Sequence, residues 1–282
     1  MQFFIEGWWH HKNRNGIELM IKEGIKVDFD HYDTSKKYDW IISLSDFKSY
    51  PSHDGGVIYG PHIELNNILK KVPYLDGKSY INLLSNWLVD LTNSIIESDK
   101  YLSLPFAVDV DKFIPNEKNE KPIIYYKDVD ISWFDKVTKK LGSNFTIFDY
   151  SKGYNEIHFL EAISKAPYAI WIGRHESQGF AFQETMSCNT PIFVIDVNSL
   201  RDEVVNNKRN WVNFHTDNPL IATAASYFDE SCGLITNIND WENDYEVFIK
   251  NLNHYSPREF VVNKLSAKSC VDLWIDKLSK LR

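Results

Sequence analysis

At 282 residues the chain exceeds the usual span of one hydrophobic core, so two compact domains are expected. A formal net charge of -8 gives no overall attraction to nucleic acid or to an anionic membrane surface, which argues against a nucleic-acid partner. Hydrophobic residues at 43% and charged residues at 25% are ordinary for a globular protein, and the 15% of aromatic residues suits sugar-binding walls and packed cores alike.

The opening Met1-Gln-Phe-Phe-Ile-Glu6 turns polar too soon for the apolar core of a signal peptide, and no run approaches the roughly 18 residues of a membrane span. Cys188, Cys232 and Cys270 lack metal-ligand spacing and read as reduced thiols. These features predict a cytoplasmic address, with peripheral membrane attachment left open.

Short β-branched and aromatic runs alternate with amphipathic stretches, the pattern of βαβ units and largely parallel sheets. In the first third, strands are predicted at Gln2–Glu6, Trp40–Leu44, Gly56–Gly60, Tyr80–Ser85 and Tyr101–Phe106, with helices at Gly16–Glu23 and Asn86–Glu97. From Ala107 to Pro122 a polar stretch with a proline at each side predicts an interdomain linker. Alternation then resumes, with strands at Ile123–Lys127, Phe145–Tyr150, Tyr168–Gly173, Ile192–Asp196 and Gly233–Thr236 and helical patterns at Trp133–Leu141 and Tyr154–Ser164. Beyond Pro257, Phe260, Leu265, Cys270, Leu273, Trp274 and Leu278 recur at spacings that suit terminal helices with one buried face.

The segment from Tyr168 to Asp196 reads as strand, polar loop, helix, turn and strand, a complete βαβ unit. Ligands of open α/β sheets sit beyond the carboxyl ends of the strands, which here means the loop from Arg174 to Gly179. A helix starting near Gly179 and Phe180 aims its unpaired N–H groups at that crevice, where they suit a pyrophosphate, and Gly179 lets the backbone approach the phosphate oxygens. Glu176 before the helix and Glu184 about one turn inside it can bracket one ligand, although two such glutamates taken alone read as surface residues.

Around them the sequence resembles the retaining GT-B glycosyltransferases of the family 4 type. That signature is Glu, seven residues, Glu, and Glu176, Gly179, Phe180, Ala181, Gln183, Glu184, Met186, Cys188 and Pro191 match it. Pro105-Phe106-Ala-Val108-Asp109, followed by Phe113, resembles the family's interdomain segment, and Tyr255-Ser-Pro-Arg-Glu-Phe260 the start of its C-terminal helices. The resemblance is good from about residue 101 onward and weak before it. It implies two Rossmann-like domains facing a cleft, the N-terminal one reduced: residues 1–106 on the acceptor side and residues 107–266 binding the nucleotide sugar. A C-terminal helix at about 267–282 is expected to return to the first domain.

The same resemblance implies that Glu176 contacts donor-sugar hydroxyls, that Gly179 and Phe180 offer backbone donors to the diphosphate, flanked by Ser177 and Gln178, and that Glu184 binds the ribose. It also implies retention of configuration and no metal or other cofactor, with leaving-group charge neutralised by basic side chains. Lys127 occupies the first such place, but none stands near Ser132, and Lys136 reads as helix surface. Arg174 is a candidate replacement or an exposed loop residue.

Asp109-Val-Asp111 and Asp128-Val-Asp130 read as turn or cap residues rather than a metal-binding pair. In the first domain, His62 resembles a family histidine near the donor sugar, whereas His53 precedes the Gly56 strand. Trp9, His10 and His11, next to Trp8, suit an acceptor sugar or are structural. Tyr150 and Tyr154 flank a loop where a base could stack, or belong to core and surface.

No Gly-x-Ser-x-Gly, His-Glu-x-x-His or Walker-type loop occurs, which removes the common hydrolase, zincin and triphosphatase readings. The expected function is transfer of a hexosyl or pentosyl unit from a nucleotide-diphosphate sugar to a glycan, glycolipid or glycoprotein acceptor. A silent nucleotide-sugar-binding protein and a GT-B epimerase or phosphorylase are the alternatives.

Overall fold

The computed structural model describes residues 1–205, 208–209 and 221–281, and the chain forms two compact units: Met1–Asp109 with Lys264–Arg282, and Val110–Asn263. No helix among the described residues is long and apolar enough to cross a membrane.

In the first unit the elements follow the order β1 (Gln2–Glu6), α1 (His11–Lys22), β2 (Lys26–Phe29), β3 (Trp40–Ser43), β4 (Gly56–Tyr59), α2 (Leu65–Lys71), β5 (Ser79–Asn82), α3 (Asn86–Ile95) and β6 (Tyr101–Leu102). All strand pairs are parallel, in the order β2-β1-β3-β4-β5-β6. The sequence reading missed β2 and α2. The first is a short sheet-edge strand, Lys-Val-Asp-Phe, with no fully buried residue, and the second is two turns long without a capping side chain.

The predicted strand Tyr101–Phe106 stops at Leu102, because the Asn82 side chain takes over the pairing. Its amide donates to Leu104 O at 2.9 Å and its carbonyl accepts from Leu104 N at 2.9 Å. Residues 102–108 are nevertheless buried. Gly16, inside α1, permits this: a Cβ there would lie 2.8 Å from Ala107 O.

The second unit contains β7 (Ile123–Lys127), α4 (Ile131–Leu141), β8 (Thr146–Asp149), α5 (Glu156–Lys165), β9 (Ala169–Gly173), α6 (Phe180–Ser187) and β10 (Ile192–Ile195). A short antiparallel pair, β11 (Val204–Val205) and β12 (Lys208–Arg209), precedes β13 (Gly233–Thr236), α7 (Trp241–Lys250) and α8 (Pro257–Leu265), and α9 (Ala267–Ser279) ends the chain. The main sheet is parallel throughout, in the order β13-β10-β9-β7-β8. Counted within the unit this is the doubly wound order 2-1-3-4-5, whose reversal lies between β7 and β9. Beneath that point Tyr125 and Trp171, cross-strand neighbours, stack at 3.9 Å, and Phe182 of α6 meets Trp171 edge-on at 5.0 Å.

The boundary between the two units, Asp109–Val110, falls inside the stretch predicted as a linker, and side chains of each unit pin the chain on either side of it. Trp274 of α9 donates to Pro105 O at 2.9 Å and lies 5.8 Å from Phe106, within the first unit. In the second unit Arg258 donates to Val110 O, Phe113 O and Ser187 O at 3.0, 2.9 and 2.7 Å. Lys118, from the polar run, donates to Ser164 O at 3.1 Å and Cys188 O at 2.8 Å, so its charge sits at the carbonyl ends of α5 and α6, where helix dipoles favour a cation. Burial pulls its pKa down to about 8. The three cysteines are free and buried.

Lys118→Ala should therefore destabilise the protein by about 2 kcal/mol, since it strands buried carbonyls that accepted charged hydrogen bonds. Chemical denaturation against wild type measures this.

Candidate active site

Because β7 and β9 are neighbours at the reversal of strand order, their carboxyl ends meet. Lys127 ends β7, and the loop 174–179 leaves β9, with the Arg174 N–H donating to Lys127 O at 2.9 Å. The Lys127 ammonium pairs with Glu176 at 2.5 Å, and their side chains are only 8% and 16% exposed. It also lies 4.3 Å from the Tyr150 ring, which the turn Tyr150–Lys152 after β8 leaves half exposed.

The loop is held from behind. The N–H of Glu176 donates to Thr223 O at 3.1 Å, and the Ser226 hydroxyl donates to Glu176 O. Thr223 is tied in turn to Asp196, just past β10, whose Oδ2 accepts from its hydroxyl at 2.5 Å while Oδ1 accepts from Ala224 N at 2.7 Å. On the other flank, fully buried Glu203 accepts from the backbone N–H of His175 at 3.0 Å and pairs with its Nδ1. The sequence reading named none of Asp196, Glu203, His175, Thr223 and Ser226 as site residues, because their contacts join parts of the chain up to 50 residues apart.

Gly179 caps α6 with φ +81, a conformation that favours glycine, and a Cβ there would come 3.2 Å from Glu176 Cβ. It offers no capping side chain to the first-turn N–H groups of α6, which like those of any helix have no intrahelical partner. Glu184 follows on the same helix and is 4% exposed.

Other predicted residues have different surroundings. Arg174 lies 3.2 Å from the Asp128 carboxylate, so its charge is already opposed. Gln178 is buried, its side chain bonded to Gln183 at 3.2 Å, which makes it part of the loop's scaffold, whereas Ser177 is exposed. Tyr154 packs on Phe159, Phe148 and Tyr125 at 5.0, 5.6 and 6.0 Å and belongs to the core. Asp130 caps α4 and Lys136 bonds to Ile238 O at 3.0 Å. Among the described residues no cluster of three His, Cys, Asp or Glu could hold a metal ion.

The first unit has its own strand-order reversal, between β1 and β3. His62, after β4, donates its N–H to Leu44 O at 2.7 Å, and its Nε2 lies 3.2 Å from the Asn13 amide. Burial, with nearby His10, lowers its pKa to about 4, so the imidazole is neutral at neutral pH. Trp8, 61% exposed, meets His62 edge-on at 4.9 Å. His10 ends the loop and His11 opens α1, their rings 4.5 Å apart. Trp9 lies against Phe29 and under Arg14, so the open indole face is that of Trp8. His53 lies at the other end of the sheet, in a cavity of about 710 Å³ with Tyr38, Trp40 and Lys78.

The arrangement of a doubly wound parallel sheet in each unit has counterparts among solved structures. The fold is that of the GT-B glycosyltransferases. The chain is similar to the apo form of the lipopolysaccharide outer core galactosyltransferase WaaB, at 11% identity and TM-score 0.61, covering 99% of this chain and 100% of that one. It is similar to sucrose-phosphate synthase from Thermosynechococcus elongatus at 11% identity and TM-score 0.59, with 99% and 98% covered. A mutant of S. aureus TarM, in complex with fondaparinux, alpha-GlcNAc-glycerol and UDP, matches at 11% identity and TM-score 0.55, with 85% of this chain covered; the match spans 55% of the TarM chain. No family model and no curated protein matches the sequence. At such identities the likeness establishes the GT-B architecture, and the chemistry rests on the residues themselves.

Two outcomes follow from the charges of this site. Glu176→Gln and Lys127→Met should each destabilise by about 3 kcal/mol, because each leaves a buried charge without its partner, and the double variant should recover part of the loss in a denaturation cycle. Asp196 is pushed up to about 6 by burial, against the hydrogen bonds it accepts. The folded protein then holds this proton more tightly than the unfolded chain, so the contribution to stability is full below about pH 4 and lost as pH rises through about 6. Relative to wild type, Asp196→Asn should gain about 3 kcal/mol between pH 4 and 8.

Proposed function

We propose that the protein is a glycosyltransferase that binds a nucleotide-diphosphate sugar in its second unit and transfers the sugar, with retention and without metal, to a hydroxyl acceptor. What supports this reading above all is the buried Lys127–Glu176 pair at the strand-order reversal, beside the Gly179-capped start of α6. The helix N-terminus and the ammonium form the positive pole that a diphosphate requires. Glu176 accepts from sugar hydroxyls, and Glu184, farther along α6, accepts from the ribose. Tyr150 offers its exposed face to the base.

On donor binding, Lys127 exchanges part of its contact with Glu176 for a phosphate oxygen. As the anomeric C–O bond breaks, positive charge grows on the sugar and negative charge on the departing diphosphate, which Lys127 and the α6 amides stabilise. The diphosphate then takes the proton of the acceptor hydroxyl. We assign the exposed Trp8 face with His10 and His11 to a glycan, glycolipid or glycoprotein acceptor, and neutral His62 to hydrogen bonding with the transferred sugar. Whether that sugar is a hexose or a pentose is a matter for the donor panel.

One observation favours a second reading, a silent nucleotide-sugar-binding protein: both Lys127 and Arg174 are opposed by carboxylates, which weakens the charge left for a leaving group. Product formation from labelled nucleotide sugars decides between them.

The first test is thermal unfolding with UDP, GDP, ADP, CDP and dTDP. Ligand at a hundred times its dissociation constant should stabilise by about 2.7 kcal/mol. One nucleotide should raise the melting temperature, Glu184→Ala should abolish the shift, and Glu176→Ala should reduce transfer more than nucleotide affinity. No shift with any of the five would overturn the donor site.

A further inference from the structure

We propose that Asp196 is a positioning residue for Glu176, holding it through Thr223 and the 222–226 segment while ionised and releasing it on protonation. Three donors converge on the carboxylate: the N–H groups of Val197 and Ala224 at 2.9 and 2.7 Å, and the Thr223 hydroxyl at 2.5 Å. Thr223 passes the constraint on, its carbonyl accepting from Glu176 N at 3.1 Å and its Oγ1 accepting from Ala225 N at 2.9 Å. Ser226 closes the clamp from the same segment by donating its hydroxyl to Glu176 O. Both backbone polar groups of Glu176 are thus held by a stretch whose own geometry depends on one buried carboxylate.

Protonation changes an acceptor into a donor. With a proton on Oδ2, the Thr223 hydroxyl can no longer donate to that atom, and the contact survives only if its hydrogen swings away and Oγ1 accepts from Asp196 instead. Oγ1 then takes two donors, Ala225 N and Asp196, while the Thr223 hydrogen has lost its carboxylate acceptor, which weakens the tie that seats the carbonyl holding Glu176. The groups facing Asp196 are the three donors already named. The ionisable side chains on the surrounding elements are Arg174, His175 and Glu176 after β9, Asp202 after β10, and Asp244, which accepts from Thr236 of β13 at 2.5 Å. Burial places the Asp196 transition at about 6, within the working range of an intracellular or mildly acidic medium.

The role is separable from a merely structural one by the order of the Glu176 backbone. If Asp196 only fills its place in the fold, Asn there leaves Glu176 protection as in wild type. If it positions Glu176, Asn loosens that backbone while the fold at pH 8 becomes no less stable. Amide hydrogen exchange of the unliganded protein reads this directly. Asp196→Asn and Thr223→Val should each lower protection of the Glu176 amide roughly tenfold at pH 7.5, with the melting temperature of Asp196→Asn not reduced. In wild type, after correction for intrinsic rates, the same protection should fall between pH 7 and 5, and in Asp196→Asn it should be flat. A second arm rests on the donor-site reading: the affinity that UDP-glucose, GDP-mannose or ADP-glucose gains over UDP, GDP or ADP should drop about tenfold in both variants, with affinity for the bare diphosphate kept. Unchanged Glu176 protection in both variants, or wild-type protection that ignores pH, overturns the proposal. If wild type binds none of the six nucleotides, the donor-site reading fails, and the exchange measurement still decides the clamp.

Discussion

The second unit depends on one topological constraint, the reversal of strand order that makes β7 and β9 neighbours. In a parallel sheet every strand delivers its carboxyl end to the same edge, and at a reversal the following loops turn to opposite faces and leave a crevice. Lys127 and Glu176, 49 residues apart, become an ion pair only because of this. The stacked Tyr125 and Trp171 and the Phe182 contact set the seat of α6 beneath them, and with it the direction of its amides.

Charge in this crevice is arranged in pairs. Lys127 faces Glu176 and Arg174 faces Asp128, while the His175 ring bonds to Glu203. A resting site of this kind avoids leaving a cation unpaired at low dielectric, and an incoming anion can take over as partner. The helix end adds a positive pole that no proton can remove. This fits a ligand that carries both phosphate charge and hydroxyl groups, since the ammonium and the carboxylate then each gain a partner.

The carboxylates Asp196 and Glu203 serve the same loop from two sides, and both are buried. Their hydrogen bonds run to backbone groups as well as side chains, which fixes a loop without regular structure. Lys118 and Arg258 do for the carbonyl ends of helices what these carboxylates do for loop N–H groups. In each case a charge buried among peptide dipoles replaces the secondary structure that an irregular segment lacks.

Periodicity and composition determined the alternation of strands and helices, the parallel class of both sheets, and the loop from Arg174 to Gly179 before α6, because these are encoded by residues close together in the chain. Gly179 was legible for the same reason, since its glycine and the following helix are local. The edge strand β2 was not, because half-exposed Lys-Val-Asp-Phe carries almost no hydrophobic signal. Nor were the bonds from Arg258 and Lys118 that pin the stretch predicted as a linker, the opposition of Arg174 by Asp128, or the half-buried place of Trp9 under Arg14 beside exposed Trp8. Those depend on which distant side chains arrive at the same place, and only tertiary structure decides that, because a contact between residues 196, 223 and 176 leaves no mark at any fixed spacing.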